Sequence, residues 1–164
     1  MSLSYDAMIF AFDAHKRQKR KYTGNSYTDH LAEVAGITAS VLLDEQAIAI
    51  AWLHDTIEDT DVTEGELLKK FGVRVTEGVM ALSDLEEGNR IHRKELSRIR
   101  LSNAPAFIQT IKCADLISNT SSIVEHDPKF AKVYLEEKRL LLDALTKADK
   151  RLVEIARRQC CGGE

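Results

Sequence analysis

The chain has 164 residues, the length of one ordinary domain, which can bury most of a hydrophobic core without disulfides or metal ions as staples. Charged residues make up 30% and hydrophobic residues 44% of the chain, which excludes a disordered protein, and no apolar run approaches the roughly 20 residues that cross a bilayer. The net charge of −3 argues against general nucleic-acid binding, and three cysteines without paired spacing predict a reducing, cytoplasmic location with no membrane attachment.

Helical patterns begin at the N-terminus. Only 2 prolines and 8 glycines punctuate the sequence, and alternating β-branched runs are missing, so we predict an all-α fold. The first helix is expected from a cap at Ser4 to about Lys21, and its end, HKRQKRK, concentrates five of the 23 Lys and Arg residues, which would suit a local anionic ligand. The second and third helices are expected at about residues 27–42 and 45–57.

Caps and breakers mark the remaining helices. Thr63 and Glu66 have the spacing of a capping box, in which each side chain accepts a hydrogen bond from the other's backbone, and Gly72 ends that helix. Further helices are expected at about residues 73–82, 90–101, 105–125, 129–145 and 149–158, followed by a loose CCGGE tail. No linker or repeat interrupts the pattern, so we predict one domain over residues 1–164.

The last two predicted helices carry apolar stripes. Tyr134, Leu141 and Leu145 fit either the core or a contact between two copies of the chain. A homo-oligomer is therefore an open alternative to a monomer.

The segment LHDTIEDT, residues 53–60, contains the first candidate site. It follows an apolar run, AIAIAWL, that reads as a buried helix, yet it carries His54, Asp55, Glu58 and Asp59. Burying carboxylates is costly unless a partner compensates their charge, and a cation is the simplest partner. The spacing of four between His54 and Glu58, and between Asp55 and Asp59, places each pair on one helix face.

Two other helices offer polar side chains that have ordinary explanations. Lys112, Asp115, Asn119 and Ser122 form one polar stripe on the long helix, and taken alone this stripe favours a solvent-exposed face. His30 stands on the first turn of the second helix, where a lone histidine is more often a cap or a packing residue than a ligand.

Taken together, these residues resemble a known family. The order His30, His54–Asp55, Asp115 is similar to the H…HD…D order of the HD phosphohydrolase superfamily, and the string AHKRQKRKYTG..Y..H…LHDTIEDT…FG…IKCADLISNT resembles the hydrolase domain of the Rel/Spo alarmone enzymes and their small stand-alone relatives. The resemblance runs from about Phe12 to Ser122. It implies a single-domain HD-type helical fold and removal of the 3′-diphosphate of guanosine tetra- and pentaphosphate. It implies hydrolysis only, because the chain has no length left for a synthetase domain.

The resemblance also implies residue roles. A divalent metal, manganese in the family, would be held by His30, His54, Asp55 and Asp115, and the catalytic carboxylates would be Glu58 and Asp59. The nucleotide would be contacted by Arg20, Lys21, Lys112, Asn119 and Ser122.

Three departures from the family pattern bear on substrate identity. Leu31 replaces the proline that commonly follows the first histidine, and GNS, residues 24–26, replaces Gly-Glu-Pro. Lys16 and Arg17 fill the place of an expected glycine. Counting back from His30, the Arg-Lys pair of many members falls on Lys21 and Tyr22.

The chemistry of the donor set agrees with this prediction. Two imidazoles and two carboxylates suit manganese, iron or zinc better than magnesium, and four protein ligands leave two positions open on a six-coordinate ion. Among these metals the resemblance implies manganese, and with it a manganese-dependent phosphohydrolase acting on a guanosine 3′,5′-bis(diphosphate)-like nucleotide. The alternatives are hydrolysis of another nucleotide or phosphate ester and a non-catalytic nucleotide-sensing module.

Overall fold

The computed structural model describes residues 2–161, which form an all-α fold as predicted. The first six helices are α1 Leu3–Ala14, α2 Thr28–Val41, α3 Glu45–Leu53, α4 Thr56–Asp59, α5 Glu64–Phe71 and α6 Val73–Leu82. The next four are α7 Arg90–Asn103, α8 Ala106–His126, α9 Pro128–Ala144 and α10 Lys150–Cys160. Within residues 2–161 the only β-type pairing is an isolated bridge between Lys19 and Ser26. None of the described helices is both long and apolar enough to cross a membrane.

The first compact unit, Met1–Leu85, is built around α3. This helix packs against α1, α2 and α6, and its side chains Ala47, Ile50 and Leu53 are completely buried. Small alanines let neighbouring helices approach closely, while Ile50 and Leu53 each remove more apolar surface from water than an alanine does. The prediction that AIAIAWL is a buried helix segment is confirmed.

The second compact unit, Glu86–Glu164, is built around the 21-residue helix α8, which packs against α7, α9 and α10. Gln109 is completely buried, and its amide donates to the carbonyls of Leu101 and Ala104 at the end of α7. The buried amide therefore satisfies carbonyls that the last turn of a helix leaves without partners.

Local signals in the sequence explain several helix ends. The capping box of Thr63 and Glu66 is present, as predicted. Gly72 ends α5 with a φ of 81°, a left-handed conformation that favours glycine. Asp44 begins α3 by accepting from the backbone N–H groups of Gln46 and Ala47.

Some predicted boundaries are wrong. Helix α1 is capped by Ser2 instead of Ser4 and ends at Ala14, so the basic segment to Lys21 is a loop. That loop is held by contacts distant in sequence, such as the backbone bond from Tyr27 N–H to the Gln18 carbonyl at 3.1 Å. The predicted tail is shorter than expected, since Cys160 is a buried residue of α10. Residues 162–164 lie outside the described residues.

Candidate metal centre and its acidic pair

His54 and Asp55 lie in a turn between α3 and α4, so the predicted helix to Ile57 is interrupted at the candidate ligands. The His54 ring is buried, and its Nδ1 lies 2.7 Å from the Ala51 carbonyl oxygen. Because a carbonyl only accepts, Nδ1 carries the proton and Nε2 presents a lone pair. That Nε2 lies 3.1 Å from Asp55 Oδ2.

His30 comes to the same place from the first turn of α2. Its ring is 1% exposed, and its Nε2 lies 3.6 Å from Asp55 Oδ2. The His30 and His54 rings are 5.3 Å apart between centroids, and each offers a nitrogen within 4.8 Å of the other. The first unit therefore brings together three of the four predicted metal ligands. Two imidazole nitrogens converging with a carboxylate fit a divalent transition-metal ion.

Tyr27 belongs to this site; the sequence predicts it as the start of the second helix and as the tyrosine of the family-like string, without a role. Its hydroxyl donates to Asp55 Oδ2 at 2.6 Å, and its ring lies 5.4 Å from the His30 ring. A hydrogen bond to one carboxylate oxygen fixes the direction in which a ligand points. Its signal in the sequence is the spacing of three residues from His30, which places both side chains on one face at the start of α2.

Asp115, the fourth predicted ligand, lies on α8 in the second unit and is only 7% exposed. Lys112 Nζ donates to its Oδ2 at 2.8 Å, and Asn119 Nδ2 donates to its Oδ1 at 2.9 Å. Burial of Asp115 excludes the alternative in which this stripe is simply a solvent-exposed face. Lys112 and Asn119, which were predicted to contact substrate, hold the Asp115 carboxylate in this structure.

Glu58 and Asp59, the acidic pair, lie on α4, the short helix that follows the turn of His54 and Asp55. Both residues are exposed. Glu58 Oε2 accepts from the backbone N–H of Asp84 at 3.0 Å, and Asp59 Oδ2 accepts from Gln18 Nε2 at 3.1 Å. Loss of water around the carboxyl group and the nearby charge of Asp55 raise the pKa of Asp59. Both carboxylates are thus held in place at the edge of a cleft of about 710 Å³.

The remaining predicted substrate residues occupy different settings. Arg20 is mostly buried, with Nη1 3.8 Å from Glu33 Oε2. Lys21 is exposed, and its ammonium nitrogen lies over the Tyr22 ring, 5.0 Å from the ring centroid. Ser122 is half-buried near the end of α8, where its carbonyl accepts from His126. Arg20 and Lys21 thus differ sharply in exposure.

Comparison with known proteins reveals clear relatives. A family model described as an HD domain matches residues 7–126. The chain is 34% identical over 123 residues to a GTP pyrophosphokinase rsh of Brucella melitensis, covering 71% of this chain and 16% of that protein. It is 43% identical over 79 residues to a guanosine-3′,5′-bis(diphosphate) 3′-pyrophosphohydrolase of Haemophilus influenzae, covering 48% of this chain and 12% of that protein. The chain therefore spans less than one fifth of the length of either relative.

The fold also has a close counterpart among solved structures. A protein described as a metazoan orthologue of SpoT that hydrolyses ppGpp superposes with a TM-score of 0.89 at 23% identity, over 97% of this chain and 94% of that one. At this identity the likeness shows a common fold.

Proposed function

Because the chain belongs to the HD domain family, as the match over residues 7–126 shows, we propose that it is a divalent-metal-dependent phosphohydrolase that removes the 3′-diphosphate of guanosine 3′,5′-bis(diphosphate). The observation that carries the proposal is the convergence of His30, His54 and Asp55, with Glu58 and Asp59 on the short helix α4 directly after Asp55. The activity for which the Haemophilus influenzae relative is named supports the choice of substrate.

In this proposal four residues bind the metal and three others orient two of those ligands. His30, His54, Asp55 and Asp115 hold the metal; the mixed nitrogen and oxygen set suits manganese, iron or zinc, and the family resemblance favours manganese. A bound divalent ion would lower the pKa of a water molecule and polarise a phosphoryl group. Lys112 and Asn119 keep the Asp115 carboxylate oriented, as Tyr27 does for Asp55.

Glu58 and Asp59 supply the proton transfers. A carboxylate accepts a proton from the attacking water, and a carboxylic acid donates one to the departing oxygen. Asp59 suits the acid role, because the partial loss of water around its carboxyl group favours the neutral form. Arg20 and Lys21 would neutralise phosphate charge on the substrate.

A substrate and metal screen tests the proposal. The purified chain is incubated with manganese, magnesium, zinc or a chelator, and then with guanosine tetraphosphate, NADPH or common nucleotides. Released pyrophosphate and orthophosphate are measured separately. We expect metal-dependent release of pyrophosphate from guanosine tetraphosphate. Release of orthophosphate from another compound would support the alternative phosphohydrolase, and binding without turnover of any compound would support a sensing module.

A further inference from the structure

The loop between α1 and α2 carries two polar side chains to which the proposed reaction gives no role. We propose that His15 and Gln18 are positioning residues that hold the catalytic carboxylate of Asp59, an inference that rests on the proposed function. Neither residue belongs to the expected metal ligands or substrate contacts. Within the first unit, Gln18 forms a hydrogen bond with Asp59, and His15 forms one with Gln18.

The direction of these hydrogen bonds is determined by chemistry. Asp59 Oδ2 accepts from the amide nitrogen of Gln18 at 3.1 Å, and it can do so whether or not Oδ1 carries a proton. The amide oxygen of Gln18 is then turned to His15 and lies 2.7 Å from Nδ1. Since that oxygen only accepts, His15 Nδ1 must carry the proton. The order of donation runs from His15 to Gln18 to Asp59.

Packing alone does not explain a histidine at position 15. The residue is completely buried, and its Nε2 has no hydrogen-bond partner among the described residues. Burying an unsatisfied polar nitrogen is unfavourable, and an apolar ring of similar size would avoid that cost. The feature that an apolar ring would lack is the Nδ1 donor facing Gln18. The histidine therefore fits a positioning role better than a packing role.

The same ring also supports the metal centre. His15 stacks on Tyr27 at 5.2 Å between centroids with a 31° angle between planes, and the Tyr27 hydroxyl donates to Asp55. Through its ring, His15 thus contacts Tyr27, the partner of the proposed metal ligand Asp55. Through Nδ1, it contacts Gln18, the partner of the proposed catalytic residue Asp59.

Asp59 needs such support because it stands at the end of the four-residue helix α4 and is exposed. An exposed carboxylate rotates freely unless one oxygen is held. Holding Oδ2 through Gln18 restricts the direction in which the other oxygen points. Proton transfer depends on that direction, so the effect should appear in kcat and leave substrate binding largely unchanged.

A double-mutant cycle tests the first step. Gln18→Leu, Asp59→Asn and the double variant are assayed with manganese and guanosine tetraphosphate. We expect Gln18→Leu to lower kcat about 10- to 100-fold with KM within about twofold. In the Asp59→Asn background the same change should cost less than about twofold, because Gln18 acts through the carboxylate. An equal loss in both backgrounds, or a loss confined to KM, would overturn the positioning role.

Two substitutions of His15 separate its donor from its ring. His15→Asn keeps a nitrogen donor near the place of Nδ1 and loses the stacking, whereas His15→Phe keeps the stacking and loses the donor. We expect the asparagine variant to retain at least about tenfold more kcat than the phenylalanine variant. Equal activity of the two variants, or more activity in His15→Phe, would contradict the positioning role of the His15 Nδ1 donor. Circular dichroism and thermal melting verify folding, and His92→Asn, at an exposed histidine, should behave as wild type.

The cycle also separates this inference from the proposed function. Full activity of Asp59→Asn would remove the catalytic role of Asp59, and the inference with it, while Glu58 and the proposed function would remain to be tested by the Glu58→Gln, Asp59→Asn double variant. Impaired activity of Asp59→Asn combined with an additive effect of Gln18→Leu would leave the proposed function intact and overturn the inference alone.

Discussion

His54 and Asp55 are neighbours in sequence, and their polar atoms meet because the helix is interrupted where they stand. In a continuous helix adjacent side chains point about 100° apart. Here α3 ends at Leu53 and Asp55 adopts φ −102° and ψ 1°, which brings its Oδ2 to 3.1 Å from His54 Nε2. A turn of this kind lets two consecutive residues share one cation, which a straight helix would make difficult.

At the same scale, neutralising the acidic pair should abolish most of the activity. Changing Glu58→Gln and Asp59→Asn together keeps the size of both side chains and removes their capacity for proton transfer. General acid–base catalysis contributes about 10²- to 10⁴-fold, so we expect a fall in kcat of that order. Manganese affinity, measured by isothermal titration calorimetry, should change less than about threefold, because neither residue is a proposed ligand.

Asp61→Asn serves as the control for the acidic pair, because it neutralises an exposed carboxylate just after α4. Its kcat should stay near the wild-type value. Unchanged turnover in the double variant would leave the proposed mechanism without its proton-transfer groups.

Among individual residues, the candidate site is predictable where its polar residues lie close together in the sequence. The adjacent His54–Asp55 pair and the following Glu58–Asp59 pair stand within eight letters and were identified as a unit. Tyr27 stands in the family-like string, but its role is not predictable, because it depends on a hydrogen bond to a residue 28 positions away. Contacts of that kind leave no period in the sequence.

At the scale of elements, helices were predictable where a cap or a breaker stands at each end. The capping box at Thr63 and Gly72 at the end of α5 match the prediction. The predicted first helix reaches Lys21, beyond its observed end, because lysine, arginine and glutamine are all good helix formers. Its true end at Ala14 reflects side-chain and loop contacts, such as His15 to Gln18 and Arg20 N–H to the Asn25 carbonyl, that propensity does not register.

Lys138 links three helices of the second unit through a buried ammonium group. It lies on α9, and its Nζ donates to Thr120 of α8 and to Gln159 of α10, each at 2.7 Å. The residue is 1% exposed, and burial lowers the pKa of its ammonium group to about 8, against 10.5 ordinarily. Between about pH 8 and pH 10.5 the unfolded chain binds a proton that the folded protein does not. Stability contributed at this position should therefore rise with pH across that window.

Urea denaturation of wild type and Lys138→Met at pH 7.5 and pH 10 measures this effect. The free energy of unfolding of wild type relative to the variant should increase at pH 10 by up to about 3 kcal/mol. Burial also raises the pKa of Cys113 and Tyr134, so both proteins should lose stability in strong alkali, and the difference between them cancels that loss. Lys150→Met, at an exposed lysine, should show no such pH dependence. A difference that is constant with pH would mean that Lys138 stays charged throughout.

At the scale of the whole molecule, the residues proposed to hold the metal are drawn from widely separated parts of the chain. His30, His54 and Asp55 belong to the unit Met1–Leu85, and Asp115 belongs to the unit Glu86–Glu164. The HD domain match over residues 7–126 includes all four positions. The folded first unit keeps His30, His54 and Asp55 together and the unfolded chain does not, so metal binding is coupled to folding.

Metal addition should therefore stabilise the protein as a whole. At a free manganese concentration 100 times Kd, binding contributes about 2.7 kcal/mol to the free energy of unfolding, which corresponds to a rise in Tm of about 5–10 °C for a chain of this length. Differential scanning calorimetry of chelator-treated protein, with manganese added back in steps, measures the rise. Asp115→Asn should need at least about tenfold more manganese for the same rise, because one anionic ligand is lost. Glu125→Gln, which neutralises an exposed carboxylate on the same helix, should respond as wild type. If Asp115→Asn keeps the wild-type response, the metal is held without the second unit, and the four-ligand proposal is wrong.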